Sequence, residues 1–495
     1  MQEERDDSYS HVLKYTGIFG SVQGLNILIS LVRNKCVALL LGPLGMGLVS
    51  LFQTTVNFIS QMTNLGISFS AVRNVSELFE SGDEARIFHF IKVVRLWSLL
   101  TGLIGTLFCM AIGPLLNSAT FSWGDYTLHF ILLSPLVAML AVTGGETAIL
   151  KGARQLKSLA VIQLYNVFAA LVIAVPVYYF FGQTGIVPVM LLMGLVAMLL
   201  TMHRSYSLYP LQMKGMKGCA HEGMDMVRLG IAFTLAGILG SGADFVIRSY
   251  LNYYANLDVV GLYNAGFVMT MTYAGLIFSA METDFFPRLS AVNNDPTRYN
   301  DLINKQAEVS LLLISPIVVM AIFALPIMVP LLTSDEFIPV VDMMRVTALA
   351  LYFRSVNLPI EYLSLARGSS MSYLFLESIY DVLMVILVIV GYNLWGLTGT
   401  GYAILLTTVL NSVLVLTYMR LRFDVRISWK LYKIHFLQTA IGILAFYLSM
   451  VLTDLGYWLS GVLLSALSIF ISVRILRSKT SLWEKLKERI IRKFK

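Results

Sequence analysis

Five cationic side chains, Arg33, Lys35, Arg248, Arg345 and Arg354, fall inside long apolar runs of this 495-residue chain. A charge at mid-helix in lipid costs roughly 2.5–3.5 kcal/mol on insertion scales, so such residues need a partner or a wet interior to face. Helical phase, at about 100° per residue, sorts them. In the first run Thr16, Gln23, Asn26, Ser30, Arg33 and Asn34 share one arc. Lys35 points elsewhere and sits near the outer end, where its stem can snorkel. In the second run Gln53, Asn57, Ser60, Gln61, Asn64 and Ser68 form the most polar face of the chain. In the seventh, Thr234, Ser241, Asp244, Arg248 and Asn252 align. The tenth carries Arg354, Asn357 and Glu361 on one side, with Pro359 to bend it, and turns Arg345 away.

Amide and hydroxyl side chains both donate and accept hydrogen bonds, which suits sugar hydroxyls. Paired guanidiniums fork onto a diphosphate. The faces therefore predict a hydrophilic cavity in which Arg33, Arg248 and Arg354 meet phosphate. Gln23, Asn26, Ser30, Gln53, Asn57, Gln61, Asn64 and Asn252 would meet the sugars. Other uses stay open. Polar stripes also fasten membrane helices together. Asp244 precedes Arg248 by four residues and can simply neutralise it, as Glu361 can neutralise Arg354. Glu282, Asp284, Glu377 and Asp381 lie toward the inner ends of spans eight and eleven, as coupling-ion sites or as salt bridges that gate or anchor loops. Asp244, Glu361 and Asp381 are the candidates for coupling or gating.

The elements that must position these residues are about fourteen apolar spans, each near the roughly 20 residues that cross a bilayer. The chain is 57% hydrophobic and 13% charged, with a mean hydropathy of +0.74, outside soluble norms. Of 36 Lys and Arg residues none lies in the seven short outer loops, LGPLGMG, NSATFSWGDYT, FGQTG, YANLD, TSDEF, GYNLWGLTG and TDLGY. The opposite side holds Arg5, Lys14, Arg73, Arg86, Lys92, Arg95, Lys151, Arg154, Lys157 and, apart from the cations inside spans, the later bases through Lys495. Cationic loops resist translocation, so this side is expected in the cytosol of a bacterial inner membrane, both termini included. The net charge of +7 reflects that topology and is not a nucleic-acid signal. The polar start lacks a basic n-region, so no signal peptide is expected. The tail at 481–495 opens with the capping box Ser481 and Glu484 and repeats Leu482, Leu486 and Ile490 among bases, the pattern of an interfacial helix or of a frayed basic end.

The chain also matches itself. A shift of about 215 residues pairs Arg33 with Arg248, Arg73 with Arg288, Glu146 with Glu361 and Tyr165 with Tyr380. A shift of 214 pairs Gly47-Leu48 with Gly261-Leu262, and Gly182-x-Thr-Gly185 with Gly396-x-Thr-Gly399. Each repeat holds about six spans, an even number, so both enter the membrane in one sense and their pseudo-twofold runs along its normal. The expected plan is an all-α polytopic protein with an N-lobe at 1–205, a linker at 206–224 and a C-lobe at 225–425. An extra hairpin at 426–480, with spans near 432–453 and 457–477, and the tail at 481–495 complete it.

At Leu41-Gly-Pro-Leu-Gly-Met-Gly-Leu48, after a polar first span containing Arg33, the chain resembles bacterial O-antigen and capsule polysaccharide flippases. Val259-Val-Gly-Leu-Tyr263, following Asp244, is similar to the same family, whose superfamily includes lipid II flippases and multidrug/toxin extruders. The resemblance implies two lobes that alternate in access, and a cationic cavity for an undecaprenyl-diphosphate-linked oligosaccharide. By motif position it gives the diphosphate role to Arg33, and then to Arg248. The Ser-Arg signature of lipid II flippases is missing near the N-terminus. Membrane lipids and other glycan-assembly membrane proteins are the further partners expected, and nucleic acid is not. A cation or drug extruder is the competing function, and it needs a carboxylate in an apolar or aromatic pocket. A glycan polymerase or ligase would need sizeable outer segments, which are lacking. With no Walker, HExxH, CxxC or DxD motif on a loop, and with Cys36, Cys109 and Cys219 unspaced for metal, neither catalysis nor any cofactor is predicted.

Overall fold

The computed structural model describes residues 2–122, 124–211, 219–272, 274–275, 278, 285–286 and 288–477. Side chains at 2–27, 69, 80–81, 156, 219–222 and 225–233 lie outside that description. So do Glu282, Asp284 and the whole tail at 481–495. Among the described residues there are thirteen α-helices and no strand. They are α1 (Gln2–Thr63), α2 (Ile67–Ser81), α3 (Glu84–Thr120), α4 (Thr127–Gly152), α5 (Leu156–Phe181), α6 (Ile186–Leu208) and α7 (Cys219–Tyr254). Then follow α8 (Leu257–Phe267), α9 (Pro296–Leu332), α10 (Val341–Ala366), α11 (Ser370–Phe423), α12 (Trp429–Val451) and α13 (Asp454–Arg477).

Helices are what apolar runs must form in lipid, because no water is there to satisfy the backbone. Eight described stretches are long and apolar enough to cross a membrane. The helices break where the cation-free strings lie. Gly42 turns α1 at φ 62°, Gly182 ends α5 at φ 53°, and Gly396 breaks α11 at φ 59°. Only glycine adopts these values without strain. Gly182 and Gly396 are repeat mates, and their ψ angles agree as well, −131° and −143°. The expected count of about fourteen spans is not fixed by these bent helices, whereas the C-terminal hairpin at α12 and α13 lies where the sequence predicts it.

The chain packs as two compact units, one of residues 1–261 with 331–336, the other of 262–330 with 337–495. The linker expected at 206–224 includes residues 212–218, which lie outside the described residues.

In the first unit α3 lies against α4 through small residues. Gly102 meets the backbone of Ala138, Gly145 meets Ser98, and Gly105 meets Thr63 and Val137. Such contacts let helices approach where lipid removes the hydrophobic drive. Ile67, Ala71, Ile87, Ile91, Val94, Ala148 and Ile149 fill the core beneath them. The closest crossing joins α1 to α8. A Cβ on Gly47 would stand 2.0 Å from the carbonyl oxygen of Leu257, and one on Gly261 would stand 1.9 Å from that of Pro43.

In the second unit α10 packs on α11 and α12, and α12 on α13. Gly442 of α12 lies against the Tyr352 ring, and Gly461 of α13 against Phe323. Arg345 donates to Asp342 at 3.0 Å and to the Tyr457 hydroxyl at 3.1 Å. That hydroxyl donates to the carbonyl of Phe323 at 2.9 Å. Arg345 is thus a fastening for the hairpin, consistent with its turning away from the polar face of its helix.

Candidate functional site

The polar residues Gln53 to Gln61 of the second span lie on α1 beyond its bend at Gly42. On the stretch of α1 after Gly42, Gln53 is half-buried while Asn57 and Gln61 are exposed, and Gln53 Nε2 donates to Asn57 Oδ1 at 3.0 Å. At its end Asn64 Nδ2 donates to Ser68 Oγ at 2.9 Å, leaving Asn64 Oδ1 buried and unpaired. Arg33 and Ser30, on the first stretch of the same helix, are half-buried. The Arg33 guanidinium reaches Asn34 Oδ1, 2.9 Å from Nη2 and 3.3 Å from Nε. Gln23 and Asn26 lie in α1, but their side chains fall outside the described residues.

The seventh span divides differently. Arg248 is only 4% exposed. It donates to Ser50 Oγ at 2.9 Å and to Asp244 Oδ1 at 2.6 Å, so a resident carboxylate occupies the place expected for phosphate. Asn252 is fully buried, and its Nδ2 donates to the carbonyl of Thr120 at 2.8 Å. It fastens α7 to the end of α3, while its Oδ1 is buried without a partner.

In the second unit Arg354, Asn357 and Glu361 of α10 line one pocket with Tyr373, Glu377 and Tyr380 of α11 before its break, and Thr408 and Asn411 beyond it. Asn411 Nδ2 donates to Glu361 Oε1 at 3.0 Å. Tyr373 and Glu377 stand one turn apart on the α11 side of this pocket, opposite Arg354. Asn357 is 3% exposed, and neither end of its amide has a partner. Asp381 is half-buried one turn beyond Glu377. Charge here is mixed, with two carboxylates facing one guanidinium.

Arg95, expected among the bases of the cytosolic side, is half-buried in α3 of the first unit, bidentate on Glu146 at 2.9 and 3.3 Å. Its Nη2 also reaches Ser205 Oγ at 3.3 Å, and its guanidinium lies 4.1 Å from the centre of the Tyr206 ring. Sequence reasoning passed over Ser50, Thr408 and Asn411 too. The last two form a polar pair three residues apart in an apolar run, a signal that was there to find.

Residues 36–342, more than half of the chain, match the model of the family described as polysaccharide biosynthesis protein. The chain belongs to that family. No curated protein sequence matches it significantly. Among solved structures it is similar to the lipid II flippase MurJ in an inward closed conformation, with TM-score 0.72 and 14% identity, over 93% of this chain and 98% of that one. An inward-facing multidrug-resistance MATE transporter of the MOP superfamily gives TM-score 0.65 and 17% identity, over 83% and 96%. A MOP-superfamily transporter from Pyrococcus furiosus, described as having a binding pocket of reverse polarity, gives 0.58 and 16%, over 83% and 94%. At these identities the likeness shows the fold. This family member is thus a multi-pass, all-α membrane protein with the fold shared by MurJ and the MATE transporters.

Proposed function

We propose that this protein is a flippase that carries an undecaprenyl-diphosphate-linked oligosaccharide from the cytosolic to the outer leaflet of the bacterial inner membrane. The observation that carries the reading is the amide face of α1. Asn57 and Gln61 are exposed, and Gln53 half-buried beside Asn57, on the helix that also holds a half-buried Arg33. Exposed amides are costly against lipid and useful against sugar hydroxyls. The family, defined by polysaccharide biosynthesis, supports the same substrate class. Both termini face the cytosol in this reading, as the charge bias requires.

Arg33 takes the diphosphate. Arg248 carries less weight, since Asp244 and Ser50 already hold it and substrate would have to displace a carboxylate. Arg354 sits in the second-unit pocket beside Glu361, which with Asp381 and Asp244 serves coupling or gating. Two lobes, at 1–205 and 225–425, alternate in access, and the hairpin at 426–480 guides the lipid tail.

A second reading, a cation-coupled extruder of the same superfamily, is favoured by one observation. The Glu361 pocket joins two carboxylates to Tyr373 and Tyr380, with Leu358 and Leu376 beside them, although Arg354 shares it. Proteoliposome transport of a polyprenyl-diphosphate oligosaccharide against a cationic dye separates the two. Glycolipid movement supports the flippase, and dye efflux without it establishes the extruder.

A further inference from the structure

The connector between α11 and α12 is clamped. Tyr299 donates its hydroxyl to the carbonyl of Phe423, Asn300 Nδ2 donates to that of Asp424 at 3.0 Å, and Asn304 Nδ2 to that of Arg426 at 2.8 Å. In return the amides of Arg426 and Ser428 donate to Asn300 Oδ1 and Asn304 Oδ1, each at 2.7 Å. Asp424 adopts φ 51°, and its carboxylate receives a fork from Arg426, Nε and Nη2 each at 3.0 Å. Five backbone groups and one guanidinium are thereby fixed without any ligand.

Beside this connector runs a groove. Leu416, Leu421, Val425 and Tyr432 form its walls, and Arg420 and Arg426 stand at its rim. Leu421 is 83% exposed and Trp429 72% exposed. The Trp429 and Tyr432 rings pack 6.3 Å apart. Aromatic pairs of this kind settle at the headgroup level of a bilayer, so the groove opens at that depth. Residues 420–433 hold five bases, Arg420, Arg422, Arg426, Lys430 and Lys433, against one acid, Asp424, which is already committed to Arg426.

We infer that this groove binds one anionic glycerophospholipid of the adjoining leaflet, with its phosphate on Arg420 and on the Nη1 edge of Arg426, whose Nε and Nη2 stay on Asp424, and an acyl chain along Leu416, Leu421 and Val425. Charge complementarity supplies the headgroup contact, since basic clusters flanking a span attract anionic lipid. The apolar walls ask for a chain, which a soluble phosphate lacks. The topology rule explains why bases are on this side, but it does not require an apolar groove beside them. Because the connector is already ordered, binding has little ordering entropy to overcome.

The test is native mass spectrometry on the full-length protein in detergent, with dioleoylphosphatidylglycerol and dioleoylphosphatidylcholine, lipids of equal chains and different charge. Wild type is expected to retain the anionic lipid roughly ten- to thirtyfold better. Arg420→Gln with Arg426→Gln removes that preference, Arg420→Lys keeps it, and Arg73→Gln, at an exposed base elsewhere, leaves it unchanged. Both rim arginines are exposed, so the double variant should melt like wild type without added lipid. Equal retention of the two lipids by wild type, a preference undiminished in the double variant, or displacement by soluble glycerol phosphate would overturn the inference.

Discussion

Arg95 grips Glu146 with two nitrogens, Nε 2.9 Å from Oε1 and Nη2 3.3 Å from Oε2, and the side chains are 9% and 3% exposed. Removing one partner leaves the other charge buried, which costs about 3–5 kcal/mol. Arg95→Ala and Glu146→Ala are each expected to lower the apparent melting temperature of the detergent-solubilised protein. Arg95→Met with Glu146→Leu should recover most of the loss. Arg73→Ala, which breaks the exposed pair with Glu77, should change nothing measurable.

The duplication does not preserve that pair. A shift of 215 puts Glu361 where Glu146 stands but Ser310 where Arg95 stands, so the second unit keeps the acid without the base. Glu361 instead accepts from Asn411 and faces the Arg354 pocket. Glu361→Gln retains an acceptor for Asn411 and removes the charge. Under the coupling role, turnover of the glycolipid should fall about tenfold with its binding unchanged. Loss of binding at unchanged expression would make Glu361 part of the substrate site instead.

Repeat mates Gly47 and Gly261 leave no room for a side chain, because each would drive a Cβ into a backbone carbonyl at 2.0 or 1.9 Å. Backbone cannot swing aside as a side chain can. Gly47→Ala and Gly261→Ala are each predicted to destabilise the protein by about 1–3 kcal/mol, the usual range for overpacking. Gly456→Ala, whose Cβ would meet the Leu452 side chain at an ordinary 3.9 Å, is the matched control and should melt like wild type.

Much of this was legible in the sequence because it is local. Gly, Pro and the absence of cations marked the turns at Gly42, Gly182 and Gly396, and glycine's access to positive φ is why those strings break helices. Helical phase placed Gln53 and Asn57 on one face, and they hydrogen-bond there. Phase tells which residues share a face but not what that face meets. Asn252 shares an arc with Arg248, yet Asn252 is spent on the Thr120 carbonyl and Arg248 on Asp244 and Ser50. The pairing of Arg95 with Glu146 could not be read, because the two lie 51 residues apart, beyond any periodic pattern. The Glu361 pocket draws on two helices and both sides of a helix break, so only Arg354, Asn357 and Glu361, on one helix face, could be read together.

The most direct test of the flippase reading is Arg33→Glu in proteoliposomes loaded with a polyprenyl-diphosphate oligosaccharide. Reversing the charge should repel the diphosphate while a half-buried position leaves insertion intact. Abolished translocation at wild-type levels of membrane insertion is the predicted result. Translocation at the wild-type rate would contradict the diphosphate role of Arg33 and the substrate site built around it.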